Sequence, residues 1–294
     1  MQRITVIHKL VKADYIAVAS NLLRLDVSSE LQLLAAELMA MVVLGSFGES
    51  DMLQRALLVE YASQSAPIII QKMEGKPEDR SIQKSGCALI SSLCTIEGDM
   101  PQFLIENKAI DSLLSAMILL EDDLDVVSAG AWALWKLSCA WKTSTETIKW
   151  DITQIICTLG ILATVAERHP KERDILNALS GFVQNVAGAP GLEFGDFPVS
   201  NLVKGIFIDP NAGGVQALIS LCRHYPESSW TILQKLGVPS VLEAFHAADP
   251  ILLDPFTQMM LSATANSTVA SVETSNAGVL LLWLLAGLSQ PVTG

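Results

Sequence analysis

Catalysis needs side chains that converge, so the groups able to do chemistry are taken first. The four histidines, His8, His169, His224 and His246, stand alone in the sequence. No HExxH occurs, no second His or Cys sits at a ligand-like spacing, and no Ser/Asp pattern frames a triad. His169 precedes Pro170 and His224 lies close to Pro226, positions that read as helix C-termini, where the helix dipole favours a cation. The acids of Glu121-Asp122-Asp123-Leu124-Asp125 are neighbours rather than an opposed pair. They read as a solvated segment able to cap the next helix. Gly188-Ala-Pro-Gly-Leu-Glu-Phe-Gly195 is glycine-rich but lacks the Lys-Ser/Thr that completes a phosphate-binding loop. The expectation is a protein that is not an enzyme, with no metal site and no cofactor.

The five cysteines, Cys87, Cys94, Cys139, Cys157 and Cys222, are odd in number and lie in apolar helical patterns without a CxxC. They read as buried reduced thiols rather than a disulfide framework, and so as cytoplasmic. Arg3, Lys9, Lys12 and Asp14 break up the N-terminal apolar residues before a signal-peptide core can form. The most apolar run, Gly278 to Leu288, is eleven residues long. A bilayer span needs about 20. With 19 Lys+Arg against 31 Asp+Glu, a net charge of −12, the chain repels polyanions, which excludes nucleic acid as the expected partner. Half the residues are hydrophobic and 17% are charged, a composition that excludes disorder for most of the 294 residues.

Leu, Ala, Met, Gln and Glu dominate, and apolar residues recur at three and four. Leu31, Leu34, Ala35, Leu38, Met41 and Val42 form one such stripe, and Ile110, Leu113, Leu114, Met117 and Ile118 another. The chain reads as all-α. The helices also repeat. Gly86-Cys-Ala-Leu-Ile-Ser-Ser-Leu-Cys94 matches Gly130-Ala-Trp-Ala-Leu-Trp-Lys-Leu-Ser138 at an offset of 44, with Gly on Gly, Ile90 on Leu134 and Leu93 on Leu137. Further copies start at Asn177, Gln216 and Gln258. Between them a second unit recurs, Phe103 to Leu114 beside Ile232 to Leu242, each followed by an acidic loop (Glu121 to Asp125; Asp249-Pro250).

In Ala129 to Ser138 the sequence resembles the third helix of armadillo repeats, and in Phe103 to Met117 their first and second helices. The resemblance spans roughly residues 80 to 265 and is poor before Asp51. It implies a right-handed α-solenoid of about five to six repeats. The whole of 1–294 is then one domain: a degenerate N-terminal cap (1–50), the repeats (51–265, with a loop insertion at 188–198) and an apolar C-terminal helix (266–294). HEAT repeats, with two helices per unit, are the neighbouring architecture that the pattern leaves open.

The resemblance also implies a groove lined by third helices. In armadillo proteins of the nuclear-import adaptor type that face carries Trp-x-x-x-Asn. Here the matching pair is Trp132 and Lys136, and the other copies offer Ala88/Ser92, Asn177/Gly181, Gln216/Ser220 and Gln258/Ser262. A basic localisation peptide is therefore not the expected ligand. What remains is a polar ladder of Ser92, Lys136, Asn177, Gln216 and Gln258 with Trp132 as an apolar anchor; it either bonds a partner's backbone or simply meets solvent. Trp135 is expected in the core. Leu192, Phe194 and Phe197 in the insertion either pin their own loop or meet a partner. The last helix, with Leu281, Trp283 and Leu284, has no polar face. It must be covered by the rest of this chain, by self-association with a second copy, or by a permanent partner, a membrane surface being the least favoured cover. The function read from this is a non-catalytic protein-protein interaction scaffold. The alternative is a structural subunit of a large assembly held through apolar faces.

Overall fold

The computed structural model describes residues 15–25, helical positions 31, 34–36, 38 and 39, and residues 52–96, 99–143, 150–208 and 213–225. Its helices are α1 (Tyr15–Arg24), α2 (Met52–Gly75), α3 (Arg80–Leu93), α4 (Met100–Glu106), α5 (Ala109–Leu119), α6 (Leu124–Thr143), α7 (Ile152–Arg168), α8 (Arg173–Val186), α9 (Val199–Ile208) and α10 (Gly214–His224), with a 3-10 turn at Phe194–Asp196. No strand occurs among the described residues. The chain divides into two compact units, Met1–Val165 and Ala166–Gly294, the boundary falling near the C-terminal end of α7.

In the first unit the helix starts repeat. Asp79 caps α3, its Oδ1 accepting from the backbone N–H of Ser81 (3.1 Å) and Ile82 (3.2 Å). At the matching position before α6, Asp123 Oδ1 accepts from the N–H of Asp125 (3.2 Å) and Val126 (3.4 Å), as the acidic loop led one to expect. The end of α2 is closed differently: the buried Gln83 donates its amide to the Met73 carbonyl (2.8 Å), in the last turn, where a helix leaves carbonyls without partners, and to the Lys76 carbonyl (2.9 Å), which also accepts from the Asp79 N–H (3.1 Å). α4 turns into α5 through Lys108 at φ 64°, a left-handed conformation, with the Asn107 amide donating to the Phe103 carbonyl (2.8 Å).

Burial follows the repeat. Leu89, Ile90 and Leu93 of α3, Ile110, Leu113 and Met117 of α5, and Leu134 and Leu137 of α6 are fully buried. α3 packs most extensively on α6, and α5 on α6. The two glycines mark where this packing is closest. Gly86 lies against Met73 and Gly130 against Met117, two buried methionines that are themselves 44 positions apart. α4, α5 and α6 thus form one complete unit of a short helix, a longer helix and a third helix whose counterpart in the preceding copy is α3.

In the second unit α8 packs on α9 and α10 around Leu179, Phe182 and Val183, met by Leu202, Leu218 and Leu221. Where a short first helix would stand, residues 188–198 make a loop containing only the 3-10 turn. Gly191, at φ 89°, supplies the left-handed backbone the loop needs. Glu193 and Asp196 close a reciprocal capping box, the Glu193 N–H donating to Asp196 Oδ2 at 2.7 Å.

Candidate functional site

The faces that could receive a partner are those the third helices leave uncovered. On α6 that face is a helical stripe: Ser128, Trp132, Trp135 and Cys139, spaced by four, three and four, are all half-buried. The Trp132 and Trp135 rings tilt against each other with centroids 4.6 Å apart, and Lys136 Nζ stands 5.7 Å from the centre of the Trp135 ring. Trp135 is therefore not in the core as its type suggested. Its neighbours Ala133, Leu134 and Leu137 fill the buried positions and turn it outward, while among the described residues Trp150 is the buried indole. On α3 the matching outer positions are Lys84, Ala88 and Ser91. Ion pairs join the starts of the two helices: Lys84 Nζ lies 2.6 Å from Asp125 Oδ2 and Arg80 Nε 3.6 Å from Asp123 Oδ2.

Ser92 does not sit on this face. It is 4% exposed and its hydroxyl donates to the Ala88 carbonyl one turn back (2.9 Å), so the outer position beside it belongs to Ser91. Lys136, at the equivalent place on α6, is half-buried because its long stem reaches outward. In the second unit Asn177 on α8 and Gln216 on α10 are half-buried, and these two helices are tied by Ser220, whose hydroxyl donates to the Gln184 carbonyl (3.3 Å).

The loop at 188–198 spends most of its apolar side chains on itself. Leu192 and Phe197 are buried and only Phe194 is half-exposed. Both rings pack on Tyr225, at 6.1 Å for Phe194 and 5.6 Å for Phe197, and the Tyr225 hydroxyl donates to the Leu192 carbonyl (3.0 Å). As surface contacts for a partner, Leu192 and Phe197 are thus withdrawn. Gln258, Leu281, Trp283 and Leu284, with the copies that begin at Ile232 and Gln258 and the Asp249-Pro250 turn, lie outside the described residues.

The described residues hold no group of three His, Cys, Asp or Glu that could bind a metal ion, and no helix among them is long and apolar enough to cross a membrane. His169 directly follows α7 and His224 is the last residue of α10, the helix-end places their sequence context suggested. Burial pushes the Cys87 thiol from an ordinary value of 9.0 up to about 12 and raises Cys94 as well. Neither is a nucleophile near neutral pH. Cys139 is half-buried and Cys157 exposed.

No protein-family model matches the chain, and no curated protein matches it either. Solved structures do. A designed armadillo repeat protein superposes with a TM-score of 0.57 at 13% identity, covering 90% of this chain and 98% of its own. The fold is armadillo-like. An engineered protein is similar at a TM-score of 0.58 and 13% identity, over 92% of this chain and 98% of the other. The likeness is one of fold, and the three-helix unit of α4, α5 and α6 accords with it. The fold is the one the repeats implied, whereas the Trp132–Trp135 pair was not expected. Its signal was the spacing of three, which puts two residues on one helix face.

Proposed function

We propose that this protein is a non-catalytic interaction scaffold whose third-helix faces receive an extended or helical segment of a partner protein. The observation that carries the reading is the indole pair on α6. Trp132 and Trp135 stand half-exposed side by side, with Lys136 over one ring. Exposed paired indoles offer a large rigid apolar area and an N–H donor, the character of residues that anchor interfaces. Trp132 is the anchor in this reading and Lys136 the adjoining charge. In the second unit Asn177 and Gln216 offer side-chain amides, each able to donate to and accept from a partner's backbone, and Gln258 would add a further amide at the next copy. The buried thiols of Cys87 and Cys94 support a cytoplasmic setting.

The test is quantitative binding of the native partner to the full chain. Trp132→Ala and Trp135→Ala are expected each to weaken binding at least tenfold, about 1.4 kcal/mol, while both variants keep their helix content and cooperative unfolding. Ile156→Ser, on the exposed side of α7, is expected to leave binding unchanged. Full affinity in the double Trp variant contradicts the proposal.

A further inference from the structure

The cations on the third helices of the first unit are not all met in the same way. Arg80 and Lys84, on α3, stand 3.6 and 2.6 Å from Asp123 and Asp125 at the start of α6. Lys136 is half-buried on α6 and, among the described residues, has no carboxylate within ion-pair distance. Its ammonium stands 5.7 Å from the centre of the Trp135 ring, a contact that engages one side of a group with three N–H donors. The Lys136 charge also reaches the Cys94 thiol at the end of α3, but burial keeps that thiol protonated, so it supplies no counter-charge.

A half-exposed ammonium can turn its remaining donors to water. Occupation of the indole pair removes that outlet. A segment laid over Trp132 and Trp135 also covers the charge beside them and strips its water. A cation enclosed in this way is costly unless the segment brings a counter-charge with it. The other cations of this face, Arg80 and Lys84, already face acids of this chain, so the demand is local to Lys136.

We infer that the partner segment received by α6 presents an aspartate or glutamate side chain to Lys136, beside an apolar side chain that rests on Trp132 and Trp135. The inference rests on the third-helix reading given above and adds the chemistry of the occupant. The spacing fits both forms of such a segment. The 5.7 Å between the Lys136 ammonium and the Trp135 ring centre is close to the roughly 6.6 Å between alternate residues of an extended chain. It also matches the about 5–6 Å between residues three or four apart on a helix. The acid therefore lies two positions from the apolar residue in an extended segment, or three or four in a helical one. The net charge of −12 repels an acidic segment at long range. At physiological ionic strength charges more than about 8 Å apart are largely screened, so the pair in contact decides.

The experiment selects a displayed library of random peptides on the full chain and discards those that also bind the Trp132→Ala/Trp135→Ala double variant. The peptides that remain are expected to be enriched in Asp and Glu over Lys and Arg at that spacing from an apolar residue. In a synthetic copy of one of them, changing the acid to its amide is expected to weaken binding at least about tenfold. Lys136→Met, which keeps an apolar stem and removes the charge, is expected to weaken the acidic peptide by a similar factor and to leave its amide form unaffected. Selection on Lys136→Glu is expected to enrich Lys and Arg at the same place. Indole-dependent peptides with no excess of acids, or with an excess that Lys136→Glu leaves unchanged, overturn this inference and leave the indole anchor standing. Equal binding of the acidic peptide and its amide overturns it without any change to the protein. The absence of any indole-dependent peptide overturns the anchor, and this inference with it.

Discussion

Gly86 and Gly130 are glycines because a methionine occupies the place of their missing side chain. A Cβ on Gly86 would lie 2.3 Å from Met73 Sδ, and one on Gly130 2.7 Å from Met117 Cγ. Both methionines are buried, so neither can swing clear without displacing the core. Alanine is the better helix former by up to about 1 kcal/mol, yet the clash is the larger effect. Gly86→Ala and Gly130→Ala are each expected to lower stability by about 1–3 kcal/mol in urea unfolding, and shortening the facing methionine should recover part of the Gly86→Ala loss. The Gly86–Gly130 match was legible as a spacing of 44, and so was the Met73–Met117 match once the first was in hand. That each glycine faces its methionine was not, since a repeat gives register and not contact. Lys108 shows the reverse case. Its φ of 64° suits glycine, and Gly237 stands at the aligned place in Ile232 to Leu242. Lys108→Gly is expected to be neutral or stabilising by up to about 1 kcal/mol, since left-handed backbone is costly for a residue with a side chain and not for glycine. The buried thiols set an alkaline limit. The folded state holds the Cys87 proton to about 12 while the unfolded chain releases it near 9.0. Stability from this group is complete below pH 9 and is lost as pH rises towards 12, by about 1.4 kcal/mol for each unit. Urea titrations at pH 7, 9 and 10.5 measure it. A flat profile would contradict the burial.

At the scale of elements, caps and latches decide where helices begin and loops rest. Asp79 and Asp123 hold the same backbone groups at the starts of α3 and α6. Asp79→Ala is expected to cost about 1 kcal/mol. The acidic loop that holds Asp123 was readable as a cap because an acid just before an apolar stripe has few other uses. The loop at 188–198 was readable as an interruption, but its anchor was not: Tyr225 lies 33 residues from the carbonyl it holds. Tyr225→Phe keeps the ring packing and removes only that bond. It is expected to cost about 1 kcal/mol and to speed proteolytic cleavage within the loop. α2 was the element least legible in advance, because it runs through Pro67, a residue that usually marks a helix boundary. Trp135 was misassigned for a related reason. Residue type points a tryptophan inward, whereas its place in the stripe of α6 points it out.

For the molecule as a whole, a single triplet of helices cannot bury its apolar face, and burial comes from stacking copies. The fold was legible because that requirement writes the same spacing into the chain again and again, in glycines, caps and apolar stripes. The proposed binding face was only partly legible, since polar residues at the right register include Ser92, which is buried, as well as Lys136, which is not. The most direct measurement is a photo-crosslinking map, with a photoreactive phenylalanine placed in turn at Ala88, Trp132 and Gln216, and at Ile156 and Thr164 on α7, in the full chain bound to its native partner. Crosslinks from Ala88, Trp132 and Gln216 with none from α7 are the expected result. Partner crosslinks confined to Ile156 and Thr164 would contradict recognition by the third helices.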